Sequence, residues 1–154
     1  MDIQKTMQNL EKNGITPYFV ENKDEVVPLV KTLINNGESV SCGGSVTLDE
    51  TGVKALMQNG DYDFIDRTGL QGEKIRQSYI KTFGCDTFFT SSNAVTENGE
   101  LINVDGNANR VSSICFGPKK VVMVVGANKI VKDVDDGILR VKKIPAPMNT
   151  ARLS

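Results

Sequence analysis

The densest polar chemistry in the chain lies in Asp105-Gly106-Asn107-Ala108-Asn109-Arg110, which sets a carboxylate, two amides and a guanidinium almost side by side. Glycine and asparagine make tight turns, and an Asx-rich loop can satisfy its own backbone. Amide and guanidinium donors also fix carboxylates and phosphates, and this run holds more amides than one turn needs. Asn93 belongs with it, in the amide-rich span that begins at Ser91. Cys42-Gly43-Gly44-Ser45-Val46-Thr47 offers a second anion-facing chemistry. Two glycines let a backbone approach a ligand closely, and the helix start that follows has free N–H groups. The same residues suit a tight strand-to-helix turn, with Thr47 and Glu50 using part of that helix start. The spacing is not that of a Walker or dinucleotide-binding loop. Gly126-Ala127-Asn128-Lys129 follows an apolar run and puts a cation where a strand ends. The candidate ligand contacts are therefore Gly43, Gly44, Ser45, Asn93, Asp105, Gly106, Asn107, Asn109, Arg110 and Lys129.

Acid–base chemistry is narrowly bounded. The chain has no histidine, so Ser-His-Asp and Cys-His systems and histidine-held metals are excluded within it. Its three cysteines, Cys42, Cys85 and Cys115, show no C-x-x-C spacing and suggest neither zinc nor a disulfide framework. Cys42 beside the glycine turn reads as a small buried hydrophobe or as a thiol nucleophile. Asn98-Gly99 is a strong hairpin signal, a type I′ turn that would make Glu97 and Glu100 cross-strand partners on one face. If buried, one of those carboxylates would be pushed up in pKa; in water the pair is screened.

Elements that could position these residues alternate along the chain. Asp2 to Lys12 reads as a helix stopped by Asn13-Gly14, and Pro17 to Val20 as a short strand. Asn22 to Glu25 resembles a capping box ahead of Val26, Leu29, Val30, Leu33 and Ile34 on one helical face, with Pro28 requiring a kink or a later start. Glu38 to Cys42, Asp63 to Ile65 and Thr87 to Thr90 read as strands. Thr47 opens a helix with Val53, Leu56 and Met57 inward, and Glu73 to Phe83 forms another that buries Ile75, Tyr79, Ile80 and Phe83. Ala94–Glu97 pairs with Glu100–Asn103 across the hairpin. Val121 to Val125, without alternation, reads as a central strand buried on both faces. Asp133 to Lys143 is a helix with acids first and bases last. Strands separated by helices imply an α/β fold: an open, mostly parallel sheet flanked by helices, with a local antiparallel β-hairpin. Ligands of such sheets sit at the carboxyl ends of the strands.

At 154 residues the chain is expected to form one domain over 1–154, with a helical N-terminal segment at 1–13. A net charge of -1 and only short lysine pairs argue against nucleic acid. The longest apolar run is five residues and MDIQKTMQNL is no signal peptide, so no membrane span is expected and a cytoplasmic location is the default.

Taken together, Gly43-Gly44-Ser45-x-Thr47-Leu48, Asp66-Arg67, Thr90-Ser91-Ser92-Asn93-Ala94-Val95-Thr96-Glu97-Asn98-Gly99, Asp105-Gly106-Asn107-x-Asn109-Arg110, Gly117-Pro118-Lys119-Lys120 and Gly126-x-Asn128-Lys129-Ile130-Val131 resemble the LUD-domain family, the lactate-utilisation proteins, in family order from about Tyr18 to Arg152. The resemblance implies the fold of glucosamine-phosphate deaminases, ribose-phosphate isomerases and CoA-transferases (NagB/RpiA/CoA-transferase-like). It implies a role in lactate-type organic-acid utilisation, since some members act with iron–sulfur partner proteins in oxidising L-lactate to pyruvate. Longer members continue past the segment matching Ala146-Pro147-Met148-Asn149 into a cysteine-containing tail. This chain stops at Ser154, so no intrinsic metal or iron–sulfur cluster is expected, other cofactors stay unassigned, and such chemistry would run through a partner. Thr96-Glu97-Asn98-Gly99 further resembles the Ser-Glu-Asn-Gly motif of class I CoA-transferases, whose glutamate forms an acyl-CoA thioester; that likeness implies Glu97 as a catalytic carboxylate. Three readings follow: a domain binding a small anionic metabolite with partner subunits or as a homo-oligomer, a free-standing CoA-transferase-like or sugar-phosphate isomerase-like enzyme using Glu97, and a non-catalytic regulatory or assembly module.

Overall fold

The computed structural model describes residues 1–144; the motif at Ala146–Asn149 and Arg152 lies outside the described residues. In chain order the elements are α1 (Ile3–Lys12), α2 (Val26–Leu33), β1 (Ser39–Cys42), α3 (Val46–Glu50), α4 (Val53–Asn59), β2 (Asp63–Phe64), α5 (Glu73–Phe83), β3 (Thr87–Thr90), β4 (Ala94–Thr96), β5 (Leu101–Ile102), α6 (Asn109–Cys115), β6 (Lys120–Met123), β7 (Ile130–Val131) and α7 (Val134–Lys143). Single 3-10 turns occupy Lys23–Glu25 and Ala127–Lys129. The α/β fold read from the sequence is present: a parallel four-stranded sheet flanked by helices, and a small mixed sheet that carries the hairpin. The elements form two compact units, one of Val20–Ser91 with Asp105–Val124, the other of Met1–Phe19, Ser92–Val104 and the chain from Val125 onward.

The first of these holds the parallel sheet in the order β2-β1-β3-β6. Alternation along β1 sends Val40 and Cys42 to one face, where they join Val26, Val30, Ile34, Leu48, Val53, Met57 and Phe89 in one apolar cluster. Fully burying a Val, Leu, Phe or Met side chain stabilises by roughly 1.5–3 kcal/mol, so this cluster fixes β1 and β3 as the rigid centre. Ser41 faces the other way, and its hydroxyl shares a 2.8 Å hydrogen bond with Thr82 of α5. That contact corrects the expected helix face: α5 buries Ser78 and Thr82, while Ile80 and Phe83 are exposed. The hydroxyls of Ser78 and Thr82 bond carbonyls within their own helix, so small polar groups can be buried there at little cost. Pro28 sits in the first turn of α2, where an absent N–H forfeits no helical bond. Two strand readings change. Pro17 to Val20 is irregular, with Tyr18 and Phe19 each 54% exposed. The apolar run at Val121 contributes β6, which is half-buried at the sheet edge and not central.

The second unit is built on β4, buried along its length, which pairs antiparallel with β5 and parallel with β7. The register sets Ala94 against Ile102 and Val95 against Leu101, so Thr96, and not Glu97, lies opposite Glu100. This overturns the expected pairing of the two glutamates. The turn is longer than the Asn98-Gly99 pair alone: Gly99 has φ +86° while Asn98 keeps a negative φ, the pattern of a type I turn closed by a left-handed residue. Gly99 N–H donates to the Thr96 carbonyl at 3.0 Å, and Glu100 N–H to Thr96 Oγ1 at 3.0 Å. Helix α1 explains the choice, because it lies on the turn. Asn9 Nδ2 donates to the Glu97 carbonyl at 2.8 Å and Asn13 Nδ2 to the Asn98 and Gly99 carbonyls at 3.1 Å. Helix α7 is capped by Asp133, whose carboxylate accepts Asp136 N–H at 3.0 Å. Its Gly137 is set against Ile102 of β5, which leaves no room for a larger residue without movement of that side chain.

Candidate functional site

Strand order in the parallel sheet reverses between β1 and β3: the chain leaves β1 for β2 on one side and returns to β3 on the other. Connections at the carboxyl ends diverge at such a point, which is where open parallel sheets take ligands. Gly43 follows β1 there and Ser91 follows β3, joined by the Gly43 N–H to Phe89 carbonyl bond of 2.9 Å. A Cβ on Gly43 would stand 3.2 Å from both Arg110 Cδ and Thr90 Oγ1. The glycine therefore admits the stem of Arg110 against the end of β1. Gly44 is exposed and Ser45 half-buried. Ser45 is the N-cap of α3 and makes no side-chain cap bond; Thr47 lies inside that helix, so the expected capping box from Thr47 to Glu50 does not form.

Arg110 is held at both sides. Its Nε donates to Asp105 Oδ1 at 2.8 Å and its Nη1 to the Ser91 carbonyl at 2.8 Å, with the Arg110 and Asp105 side chains only 12% and 9% exposed. Asp105 Oδ2 also accepts Val111 N–H at 2.6 Å, so one carboxylate starts α6 and orients the guanidinium. The run read as one polar loop is thus divided: Asp105 to Ala108 is loop, with Ala108 at φ 56°, and Asn109 and Arg110 begin α6. Gly106 and Asn107 are exposed and Asn109 is half-buried. Within this unit the structure brings Gly43, Asp105 and Arg110 together, with Gly44, Ser45, Gly106 and Asn107 on the adjoining loops and Asn109 at the first position of α6.

Arg67 completes the same rim and was not among the candidates. It follows β2, and its Nη2 donates to the Cys42 carbonyl at 2.6 Å. Its guanidinium carbon stands 5.1 Å from the centre of the Tyr79 ring, a stacking distance for a cation. The signal available was a basic residue just after the weak strand at Asp63. Cys42 itself is 7% exposed within the core. Burial pushes its thiol up, against the opposing pull of Arg67, so it is a neutral packed thiol and not an activated nucleophile.

The remaining candidates belong to the other unit. Asn93 Oδ1 accepts Val104 N–H at 2.9 Å, and its carbonyl accepts a bond from Arg140. Lys129 ends the 3-10 turn at Ala127–Lys129 and so does not directly follow a central strand. Glu97 is 15% exposed; Lys5 Nζ reaches its Oε2 at 3.3 Å and Asp2 N–H its Oε1 at 3.1 Å. The hydrogen bond from Lys5 leads the effects that hold this carboxyl below the usual glutamate range. Among the described residues, no group of three or more His, Cys, Asp or Glu side chains is placed to hold a metal ion.

The LUD domain family model matches residues 3–154. The chain belongs to the LUD-domain family. No curated protein and no solved structure matches it. In this LUD domain the sequence motifs at Gly43, Asp66-Arg67, Thr90-Ser91 and Asp105–Arg110 meet in one unit, at the carboxyl ends of one parallel sheet. No helix among the described residues is long and apolar enough to cross a membrane.

Proposed function

We propose that this LUD domain binds a small anionic metabolite at the carboxyl ends of β1 and β3, in the service of lactate-type organic-acid utilisation with partner subunits. The observation that carries the reading is the convergence of two fixed guanidinium groups on the end of β1 at the point of strand reversal, Arg110 with its stem against Gly43 and Arg67 bonded to the Cys42 carbonyl. Such a point of reversal is where open parallel sheets take ligands. Gly44 and Ser45, lying ahead of a helix start that no side chain caps, offer backbone N–H donors. Asn107 on the adjoining loop and Asn109 at the start of α6 offer amides that can orient hydroxyl or carboxyl groups. Family membership supports the metabolic setting.

Glu97 supports the rival transferase reading less well. A thioester-forming carboxylate must be open to an acyl donor, whereas Lys5 and the Asp2 amide occupy both oxygens here. The reading is tested by melting curves with L-lactate, pyruvate, sugar phosphates, nucleotides and acyl-CoAs. A ligand at a hundredfold excess over its Kd adds about 2.7 kcal/mol, or roughly 5–11 °C in Tm for a chain of this size. Glu97→Gln should keep that shift. The absence of a shift with every anion up to millimolar concentration would remove the proposed site.

A further inference from the structure

We infer that Arg67, and not Arg110, receives the charge of the ligand, and that the rim is matched to a singly charged oxyanion. This rests on the anion-binding reading above. The two arginines flank the same short segment: Arg67 bonds the Cys42 carbonyl, and the Arg110 stem lies against Gly43. Their electrostatic situations differ. Arg110 sits 2.8 Å from the Asp105 carboxylate in a mostly buried pair, so its charge is already balanced. Arg67 forms no ion pair among the described residues, and of its guanidinium donors Nη2 alone has an acceptor there. The neighbouring Asp66 carboxylate is turned to its own loop, accepting from Thr68 N–H at 2.9 Å and Thr68 Oγ1 at 2.7 Å.

The remaining face of the Arg67 guanidinium is oriented before any ligand arrives. One corner is tied to backbone and its plane stands by the Tyr79 ring, so little side-chain entropy is lost on binding. A planar fork with one unbalanced charge suits one carboxylate. A doubly ionised phosphate would need a second cation, and Lys54, whose charge also acts on Cys42 and Asp66, is already paired with Asp49 at 3.6 Å. Arg110 is then a positioning residue, which holds the loops after β1 and β3 together.

The test is titration calorimetry with L-lactate, pyruvate, the uncharged analogue L-lactamide, and glycerol phosphate. For the wild type, a monocarboxylate should bind tenfold or more tightly than lactamide. Arg67→Gln should erase that advantage while leaving lactamide affinity within about twofold, and Arg67→Lys, which keeps the charge without the fork, should fall between. A variant that lost lactate and lactamide alike would show a collapsed pocket, and one that bound lactate like the wild type would show an irrelevant charge; both outcomes overturn the assignment while leaving the site standing. No anion binding by the wild type overturns the site and the assignment together. Glycerol phosphate supplies a check that needs no variant. Its second ionisation falls near pH 6, and the chain has no histidine to titrate alongside it. Affinity that stays level or falls from pH 5.5 to 7 supports the single-charge match; affinity that climbs as the phosphate doubles its charge overturns it.

Discussion

Gly43 and Gly137 are both pressed against side chains, and a methyl group should affect them in different ways. At Gly43 the added carbon meets Arg110 Cδ and Thr90 Oγ1 at 3.2 Å. Arg110 is pinned by Asp105 and by the Ser91 carbonyl, so the stem cannot swing aside. Gly43→Ala should cost about 1–3 kcal/mol, as overpacking does. At Gly137 the nearest atom is the terminal methyl of Ile102, and the next contacts are an ordinary 3.4 and 3.5 Å. That methyl can rotate, and alanine gains about 1 kcal/mol over glycine inside a helix. Gly137→Ala should therefore stay within about 1 kcal/mol of the wild type. Urea unfolding of the two variants side by side measures both, and a smaller loss at position 43 than at 137 would show that Arg110 is not held as its bonds suggest. The sequence marks Gly43 as special but offers ligand approach as the reason. Its nearest reason is the arginine stem, which comes from a distant segment and leaves no trace in local spacing. Arg67 stands in a sequence motif but outside the ligand contacts read there for a related cause, since its value depends on a carbonyl and a ring supplied by other elements.

Among the elements, existence was easier to read than pairing. Helices with clear terminal signals, such as α1 with its Asn13-Gly14 stop and α7 with acids first and bases last, are found where those signals put them, whereas α2 ends at Leu33 and leaves Ile34 in extended backbone. Strand neighbours depend on the whole sheet, so the apolar run at Val121 could not declare that it forms an edge. The hairpin register shows the same limit. Asn-Gly favours a two-residue turn in isolation, but here α1 contributes Asn9 and Asn13 to the turn carbonyls and a longer turn results. This gives an element-level prediction. A Cβ on Gly99 would stand 2.7 Å from the Asn9 backbone carbon, at a φ of +86° that side chains rarely adopt. Backbone atoms cannot turn away as the Ile102 methyl can, so α1 or the turn must move. Gly99→Ala should destabilise more than Gly43→Ala, and hydrogen exchange should quicken in α1 and β5 well before the β1 and β3 amides respond. Unchanged exchange in α1 would mean that the helix does not depend on its seat upon the turn.

For the whole molecule, titration behaviour is set by what the chain lacks and by where its acids and thiols lie. On the acid side, the Lys119 ammonium and the Ser39 donors hold Asp86 well below the carboxylate range, Thr68 does the same for Asp66, and Lys5 leads for Glu97. Burial pushes Glu38 up, but hydrogen bonds from Thr87 and Asn35 together outweigh it and its carboxyl is also lowered. Unfolded Asp and Glu titrate near about 3.9 and 4.3. With lower folded values, the unfolded chain binds more protons on acidification, so this stability is complete above roughly pH 5 and is lost as pH falls through the folded values. On the alkaline side the sign reverses. Burial and then the Asp86 charge push the Cys85 thiol up to about 11, and burial also raises Cys42. Unfolded thiols ionise near about 8.5, so the unfolded chain loses its protons first and stability declines from there towards the folded value. Between these flanks lies the range in which histidine would titrate, and there is none. Urea unfolding from pH 3 to pH 10 should give a plateau between about 5 and 8 with a fall on each side, and Cys85→Ala should flatten the alkaline fall while lowering the plateau through lost packing. A break near pH 6.5 would require a strongly displaced carboxylate or thiol, and the displacements of these groups run the other way: Glu38, Asp66, Asp86 and Glu97 downward by their donors, Cys42 and Cys85 upward by burial.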